Sequence, residues 1–412
     1  MGRGFLTLAG TIFVIMLTFV AGEILLRLSL DFLPGAKYLV TGGNRSSEIK
    51  TFEDFLTFSE EKIRPFLNWY NYSSNSLGFQ DKEFEVPKPA GRYRVMAVGD
   101  SFCFGSVPYP KNVLTEVEVR VRKGCHNVDF NLLNFGIGNG GVWDYKTIVK
   151  LSNAIYKPDL VLVHFYMGND GPDLYRHEND MPGFMKQVKP YSYLLTLLKN
   201  AFKLYKGIGL MGLSRKKLSS SNPKSIGTIS EGGSMINPDV VDFSDFRSYL
   251  EKGLFSFDKQ AYVEIAAREL SRLYAPDEMT VKKDWEPILN ELDEIRKIVK
   301  DNGMKMAIVF YPSELQVYPE LRIKLISQLR EISEYRSNMD FNKIDPQLPN
   351  NILFNYCEKA GIDCFDTTPA LIKASHKKKP LYIKRNTHWN FYGNIIAAIS
   401  ESGFLEKIVC PK

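Results

Sequence analysis

Four short motifs, far apart in the chain, carry side chains able to move an acyl group. Gly99-Asp100-Ser101-Phe102 puts a hydroxyl on a tight turn, and Asn386-Thr387-His388-Trp389-Asn390 supplies an imidazole. A serine becomes a nucleophile when a histidine takes its proton and later returns it to the leaving group. The developing oxyanion then needs N–H donors. Met167-Gly168-Asn169-Asp170 offers the Asn169 side-chain amide, and the turn from Gly136 to Gly141 offers backbone N–H groups at Gly138, Asn139 and Gly140. Of the five histidines, His164 lies within an apolar run and reads as a satisfied core residue, while His126, His177 and His376 have charged or loop neighbours. Cys103 reads as a buried packing thiol.

These motifs do chemistry together only if the chain folds them to one edge. Short apolar runs at Arg94–Val98, Asn131–Phe135, Leu160–Tyr166, Lys305–Tyr311 and Ile362–Phe365 end near Gly, Asn or Asp. Continuous apolarity marks strands buried on both faces, and helix-length stretches separate them. One helix is clear from Trp285 to Val299, with apolar residues at three-and-four spacing and Asp301-Asn302-Gly303 beyond. The α/β order predicts a doubly wound parallel sheet, with functional groups beyond the carboxyl ends of the strands. Val117–Arg122 alternates as a strand does, but its place between two strands predicts a helix. Residues 36–90 read as an extended lead-in without helix, and 91–412 as the α/β domain. Within it, 181–260 reads as a lid-like insertion, with an amphipathic helix at 191–205 and a Ser/Gly/Lys-rich mobile loop at 214–234.

The charge balance, 53 Lys and Arg against 47 Asp and Glu, is only +6 over 412 residues and does not argue for nucleic acid. No pair among the five cysteines has CxxC spacing, so no metal is expected. Cys357 and Cys364 read as unpaired thiols, with a bridge in an oxidising compartment as the alternative. Residues 5–22 carry no charge, and 18 residues at about 1.5 Å each reach about 27 Å, enough to span a bilayer. Arg3 before this run places the N-terminus in the cytosol and the bulk of the chain outside. Val20-Ala21-Gly22 also suits signal cleavage, but the length of the run favours an uncleaved anchor over residues 1–35.

Taken together the motifs resemble the SGNH (GDSL-type) hydrolase superfamily, named for Ser, Gly, Asn and His in four blocks. Ser101 in GDSF looks like the block I nucleophile, Asn169 in GND the block III oxyanion donor and His388 the block V base. The likeness runs over about residues 75–412, and the lead-in NSLGFQDKEFEVPKPAGRYRVMAVGDSF is similar to that of membrane-anchored bacterial members, in the broad group of alginate and peptidoglycan O-acetyltransferases. The resemblance implies a flavodoxin-like sheet, no cofactor, and a periplasmic domain on a single-pass anchor in the bacterial cell membrane. It further implies acylated polysaccharide or another small ester as substrate and a membrane-bound acyltransferase as partner.

Two positions depart from the family pattern. Asn139 falls where block II usually has glycine, between Gly138 and Gly140. The position two before the histidine, commonly Asp, holds Asn386, and the position three before it holds Arg385. Asn386 can accept from the imidazole but adds no negative charge, and the comparable Asp-to-Asn change in a serine-protease triad costs about 10⁴ in rate. Three readings follow: another carboxylate such as Asp366 serves, the enzyme is slow, or the chain is a retired scaffold that binds a glycan or a membrane partner.

Overall fold

A computed structural model describes residues 14, 18–25, 49–59, 63, 68–69, 72–109, 111–171, 256–331, 339–377 and 379–411. The elements named below lie in the unit formed by Lys50–Arg176 and Ser230–Lys412. In chain order they are α1 (Phe52–Phe58), β1 (Tyr93–Gly99), α2 (Ser101–Phe104), α3 (Val113–Gly124), β2 (Phe130–Gly136), α4 (Val142–Tyr156) and β3 (Leu160–Tyr166). There follow α5 (Lys259–Ser271), α6 (Glu278–Asp301), β4 (Lys305–Tyr311), α7 (Glu314–Val317), α8 (Pro319–Arg330), α9 (Leu348–Ala360), β5 (Asp363–Asp366), α10 (Thr368–Ser375) and α11 (Phe391–Val409).

The five strands form one sheet in the order β2-β1-β3-β4-β5, and every pairing is parallel. The apolar runs seen in the sequence are these strands, within two residues at either end. Successive side chains leave opposite faces of a strand. Val95 and Ala97 join a core with Val113, Val117 and Val121 of α3 and Ala397, Ala398 and Leu405 of α11. Alternate positions face the other way: Phe135 packs edge-on to Tyr156 of α4, Phe165 stacks on Trp285 of α6, and Phe310 meets Phe354 of α9. The sheet is thus covered on both faces, which explains its continuous apolarity. Val117–Arg122 lies in α3, whose buried valines are spaced by four rather than two. His164 lies in the core but is only half satisfied: Nε2 is 2.8 Å from Glu401 Oε1, whose other oxygen accepts from Tyr311 at 2.6 Å, while Nδ1 is buried without a hydrogen-bond partner.

The lead-in is not free of helix. Thr51 and Asp54 form a capping box at the start of α1, and Phe52 packs against Phe135 and Tyr156, which turns an apparently aperiodic stretch into a docked helix. The expected amphipathic helix at 191–205, the loop at 214–234 and most of the expected anchor lie outside the described residues. Among the described residues no helix is long and apolar enough to cross a membrane.

The cysteines correct a second expectation, because Cys357 pairs with Cys364 and Cys125 with Cys410. Cys357 sits near the end of α9 and Cys364 on β5, so the short turn at Gly361 brings them within 6.3 Å Cα to Cα. The second bridge ties the end of α3 to the end of α11 across 285 residues. Replacing Cys125 and Cys410 together by alanine is expected to lower stability by about 2–5 kcal/mol, the usual range for a native bridge. Urea unfolding of this variant beside the oxidised wild type checks it.

Candidate active site

β2 and β3 flank β1 on opposite sides, so the chain changes winding direction between β1 and β3, where a doubly wound sheet leaves a crevice at its carboxyl edge. Ser101 follows β1, the 136–141 turn follows β2, and Asn169 follows β3. Gly99 and Gly136 stand opposite each other in register. A side chain on Gly136 would strike the Phe104 amide and Cys103, so glycine there lets α2 press onto β2. Asn134 braces the same corner, donating to the Cys103 carbonyl at 2.8 Å and accepting from the Gly136 amide at 2.8 Å. Cys103 is free and fully buried, as its packing role predicts.

His388 arrives from the other end of the sequence, and its Nε2 is 2.8 Å from Ser101 Oγ. The loop that carries it is a tight hairpin: Tyr382 and Trp389 form an antiparallel bridge, and Ile383 N–H donates to the His388 carbonyl at 2.8 Å. Arg385 and Thr387 both take left-handed conformations, with φ of 55° and 64°. Such residues cost about 1–3 kcal/mol each and persist where surroundings over-determine them. Here Ser256 Oγ donates to the Lys384 carbonyl at 2.6 Å and Phe257 N–H to the Arg385 carbonyl at 2.9 Å. Asn390 closes the loop by accepting from Tyr392 and Gly393 amides at the start of α11.

The fold of this hairpin turns Asn386 back onto the imidazole. His388 Nδ1 lies 2.8 Å from Asn386 Oδ1 and 3.0 Å from the Asn386 backbone carbonyl. A backbone carbonyl can only accept, so it places the proton on Nδ1 whichever way the amide is turned. Nε2 then carries the lone pair that receives the Ser101 proton. Burial lowers the His388 pKa from its ordinary value, against an opposing pull from the Asn386 bond. The imidazole is therefore neutral, and a competent base, at pH 7. Phe102 stacks on its face at 4.9 Å between centroids.

Asp366 does not serve the histidine. Its oxygens accept from the Asn350 amide and the Thr368 backbone N–H, both at 2.8 Å, which braces the end of β5 and the start of α10. The His388 Nδ1 position is filled by Asn386 instead.

Asn169 is exposed beyond β3, with its backbone N–H on the Tyr166 carbonyl at 3.3 Å. Its side chain lies beside Asp100, the residue before the serine, and favours that carboxyl's charged form. Asp100 also accepts from the Phe102 amide at 2.9 Å and lies 3.5 Å from Ser101 Oγ. Burial pushes the Asp100 carboxyl up to about 6, against the bonds from Phe102, Asn169 and Ser101. Asp170 beside it is raised well above the carboxylate range by burial and then by the Asp100 charge, and it binds the Tyr145 hydroxyl at 2.9 Å. Asp170 also accepts from the Tyr166 amide at 2.8 Å, which closes the turn after β3. The sequence hid the part Asp100 plays, because an Asp before a serine reads first as a turn residue; its signal was the Asp at the cap position of α2.

In the third motif Asn139 has φ 54°, a conformation asparagine tolerates well. Gly140 N–H donates to the Ile137 carbonyl at 3.3 Å and closes the turn. Gly138 and Asn139 therefore carry the amides of this turn that remain for an oxyanion. Among the described residues no group of His, Cys, Asp or Glu could hold a metal ion. A cavity of about 1130 Å³ opens beside the histidine loop at Tyr382, Ile383 and Lys384, with Tyr318, Phe391 and Tyr392 in its walls. Neither Ser101 nor His388 lines it.

No family model and no curated protein matches the chain. A solved crystal structure that matches covers 78% of this chain and 100% of its own, with 9% sequence identity and a TM-score of 0.33. A likeness at that level carries no argument about fold or function.

Proposed function

We propose that the chain is a serine-dependent esterase or O-acyltransferase of SGNH type acting on acyl esters of cell-envelope glycans. The observation that carries this is the relay Ser101 Oγ–H to His388 Nε2 at 2.8 Å, continued from Nδ1 to Asn386. In the reaction Ser101 Oγ bonds to the acyl carbon as His388 takes its proton, and the carbonyl oxygen becomes an oxyanion facing Asn169 and the 138–139 amides. Collapse expels the alcohol, which receives the proton from His388 and leaves an acyl-serine. Water or a glycan hydroxyl then repeats the cycle, giving hydrolysis or transfer. Two disulfides favour an oxidising, extracytoplasmic compartment, in keeping with an N-terminal anchor in a bacterial membrane. A membrane-bound acyltransferase is the partner that would supply acyl groups there. The test is fluorophosphonate labelling: an adduct on Ser101 is expected, and an unlabelled Ser101 in folded protein overturns the reading.

The uncharged Asn386 keeps a second reading in view, a scaffold that binds a glycan or membrane partner without turnover. Asn386→Asp separates the two. Because the Asn386 carbonyl already fixes the tautomer, the new carboxylate contributes charge alone. Hydrogen bonds to charged groups exceed neutral ones by about 1–1.5 kcal/mol, so the enzyme should gain about 10-fold in kcat. A negative charge beside Nδ1 also favours the imidazolium and raises the His388 pKa, moving the acid limb of the pH profile upward. A scaffold would show neither change.

A further inference from the structure

Two cavities adjoin beside the tip of the histidine hairpin, and their walls divide the chemistry of an amphiphile between them. The smaller, about 390 Å³, lies between α5, α8 and the hairpin. Its charged residues are Lys259, Lys324, Lys384 and Arg385, all exposed, and no acid stands among them. Among the described residues none of the four has an ion-pair partner. The larger cavity, about 1130 Å³, shares Leu321 and Lys384 with the smaller.

This larger space offers carbon surface but few free hydrogen-bonding groups. Leu321, Ile383, Phe391 and Ile395 line it, and most of the polar side chains beside them are already engaged within the fold. Tyr382 donates to the Pro312 carbonyl at 2.9 Å, Ser375 to the Ile372 carbonyl at 2.7 Å and Asn390 to the Pro380 carbonyl at 2.8 Å. Glu314 accepts from Tyr262 at 2.7 Å, and Lys379 lies over the Tyr392 ring, 5.5 Å from its centroid. A sugar placed here would leave hydroxyls unpaired, whereas an alkyl chain has none to lose. Glu314 and Glu320 in this wall also repel an anion, which the four cations next door attract.

We propose that the two cavities together bind one anionic phospholipid, its phosphate among Lys259, Lys324, Lys384 and Arg385 and an acyl chain in the larger space. Charge complementarity selects the head, and the engaged polar groups of the wall select the chain. The uncharged run at residues 5–22, as a membrane anchor, keeps the domain beside a bilayer that supplies such a molecule. Lys384 and Arg385 stand at the tip of the hairpin that carries His388, so bound lipid holds that tip at the membrane surface. Neither Ser101 nor His388 lines either cavity, and the lipid is a ligand here rather than a substrate. Binding of this kind goes beyond the esterase reading and needs no turnover.

In the experiment, full-length protein in phosphatidylcholine nanodiscs is irradiated with graded amounts of a phosphatidylglycerol that carries a diazirine at the end of one acyl chain. Adducts are mapped by peptide mass spectrometry. Besides the anchor, saturable labelling is expected on the segments that wall the larger cavity, 318–321, 380–384 and 391–395. Unlabelled phosphatidylglycerol should compete, and inorganic phosphate, which lacks the chain, should not. A cation beside an anionic lipid surface contributes about fivefold in affinity, so Lys324→Gln with Lys384→Gln should raise the half-saturating amount by about 25-fold. Ile395→Trp, which fills the larger cavity, should abolish labelling there in protein that melts as wild type does. If Ile395→Trp does not fold, the lysine pair decides alone. Labelling confined to the anchor, equal labelling by a phosphatidylcholine form of the probe, or an unchanged half-saturation in the double lysine variant overturns the proposal. Displacement of the probe by an oligouronate but not by unlabelled phosphatidylglycerol also overturns it, and makes the site a glycan subsite.

Discussion

Ser101→Ala is expected to lower kcat for aryl acetate hydrolysis by at least about 10²-fold while leaving the fold intact. In a subtilisin-type triad, losing the nucleophile costs about 2 × 10⁶ and losing the charged partner about 3 × 10⁴, so a relay already without its charge retains about 10² to lose. The true loss should exceed this floor, because much of the partner's value lies in fixing the tautomer and the Asn386 carbonyl does that here. Among the described residues the serine hydroxyl hydrogen-bonds to His388 and Asp100, and its removal takes away a single polar atom. Steady-state kinetics beside a thermal melt checks both halves. An unchanged rate in folded protein would remove Ser101 as the nucleophile.

Asn169→Ala should be nearly as damaging, about 10²–10³ in kcat with little change in KM, the loss typical of one oxyanion donor. The structure gives this expectation a second edge. The Asn169 side chain lies beside Asp100 and favours its charged form, so the amide has a neighbour to orient it before any ester arrives. Preorganisation of this kind matters in the transition state, where the donor need not turn to find the charge. Asn169→Asp should therefore be worse than alanine, since it sets a second carboxylate against Asp100 and the oxyanion. Activity of Asn169→Ala within a few-fold of wild type would take Asn169 out of the site.

Much of this was open to reading in the chain. Strands buried on both faces cannot alternate, so their apolar runs stand out, and the motifs at their ends inherit their places from the sheet. Ser101, Asn169 and His388 could be named for that reason. α1 was missed because its signal is a capping box and one phenylalanine, Phe52, whose partners Phe135 and Tyr156 lie about 80 to 100 residues onward. The Cys125–Cys410 bridge was missed because nothing local joins residues 285 apart. Asp366 was a reasonable candidate to support His388, being an acid at the end of a strand, but the turn of Asn386 onto Nδ1 depends on two left-handed residues that sequence does not announce.

The bridge between Cys125 and Cys410 also decides how the protein behaves once a protease has found it. Nearly seven-tenths of the chain lies inside this one covalent loop, including every residue of the relay except Ser101. A single cut anywhere between the two cysteines therefore releases nothing. The halves stay tethered, migrate as one species without reductant, and separate only when a thiol is added. A nicked molecule can keep His388 at the working distance from a serine on the other fragment, so an apparently degraded preparation can remain whole by mass and by activity. Gels run with and without reductant after limited digestion distinguish such material from the intact chain.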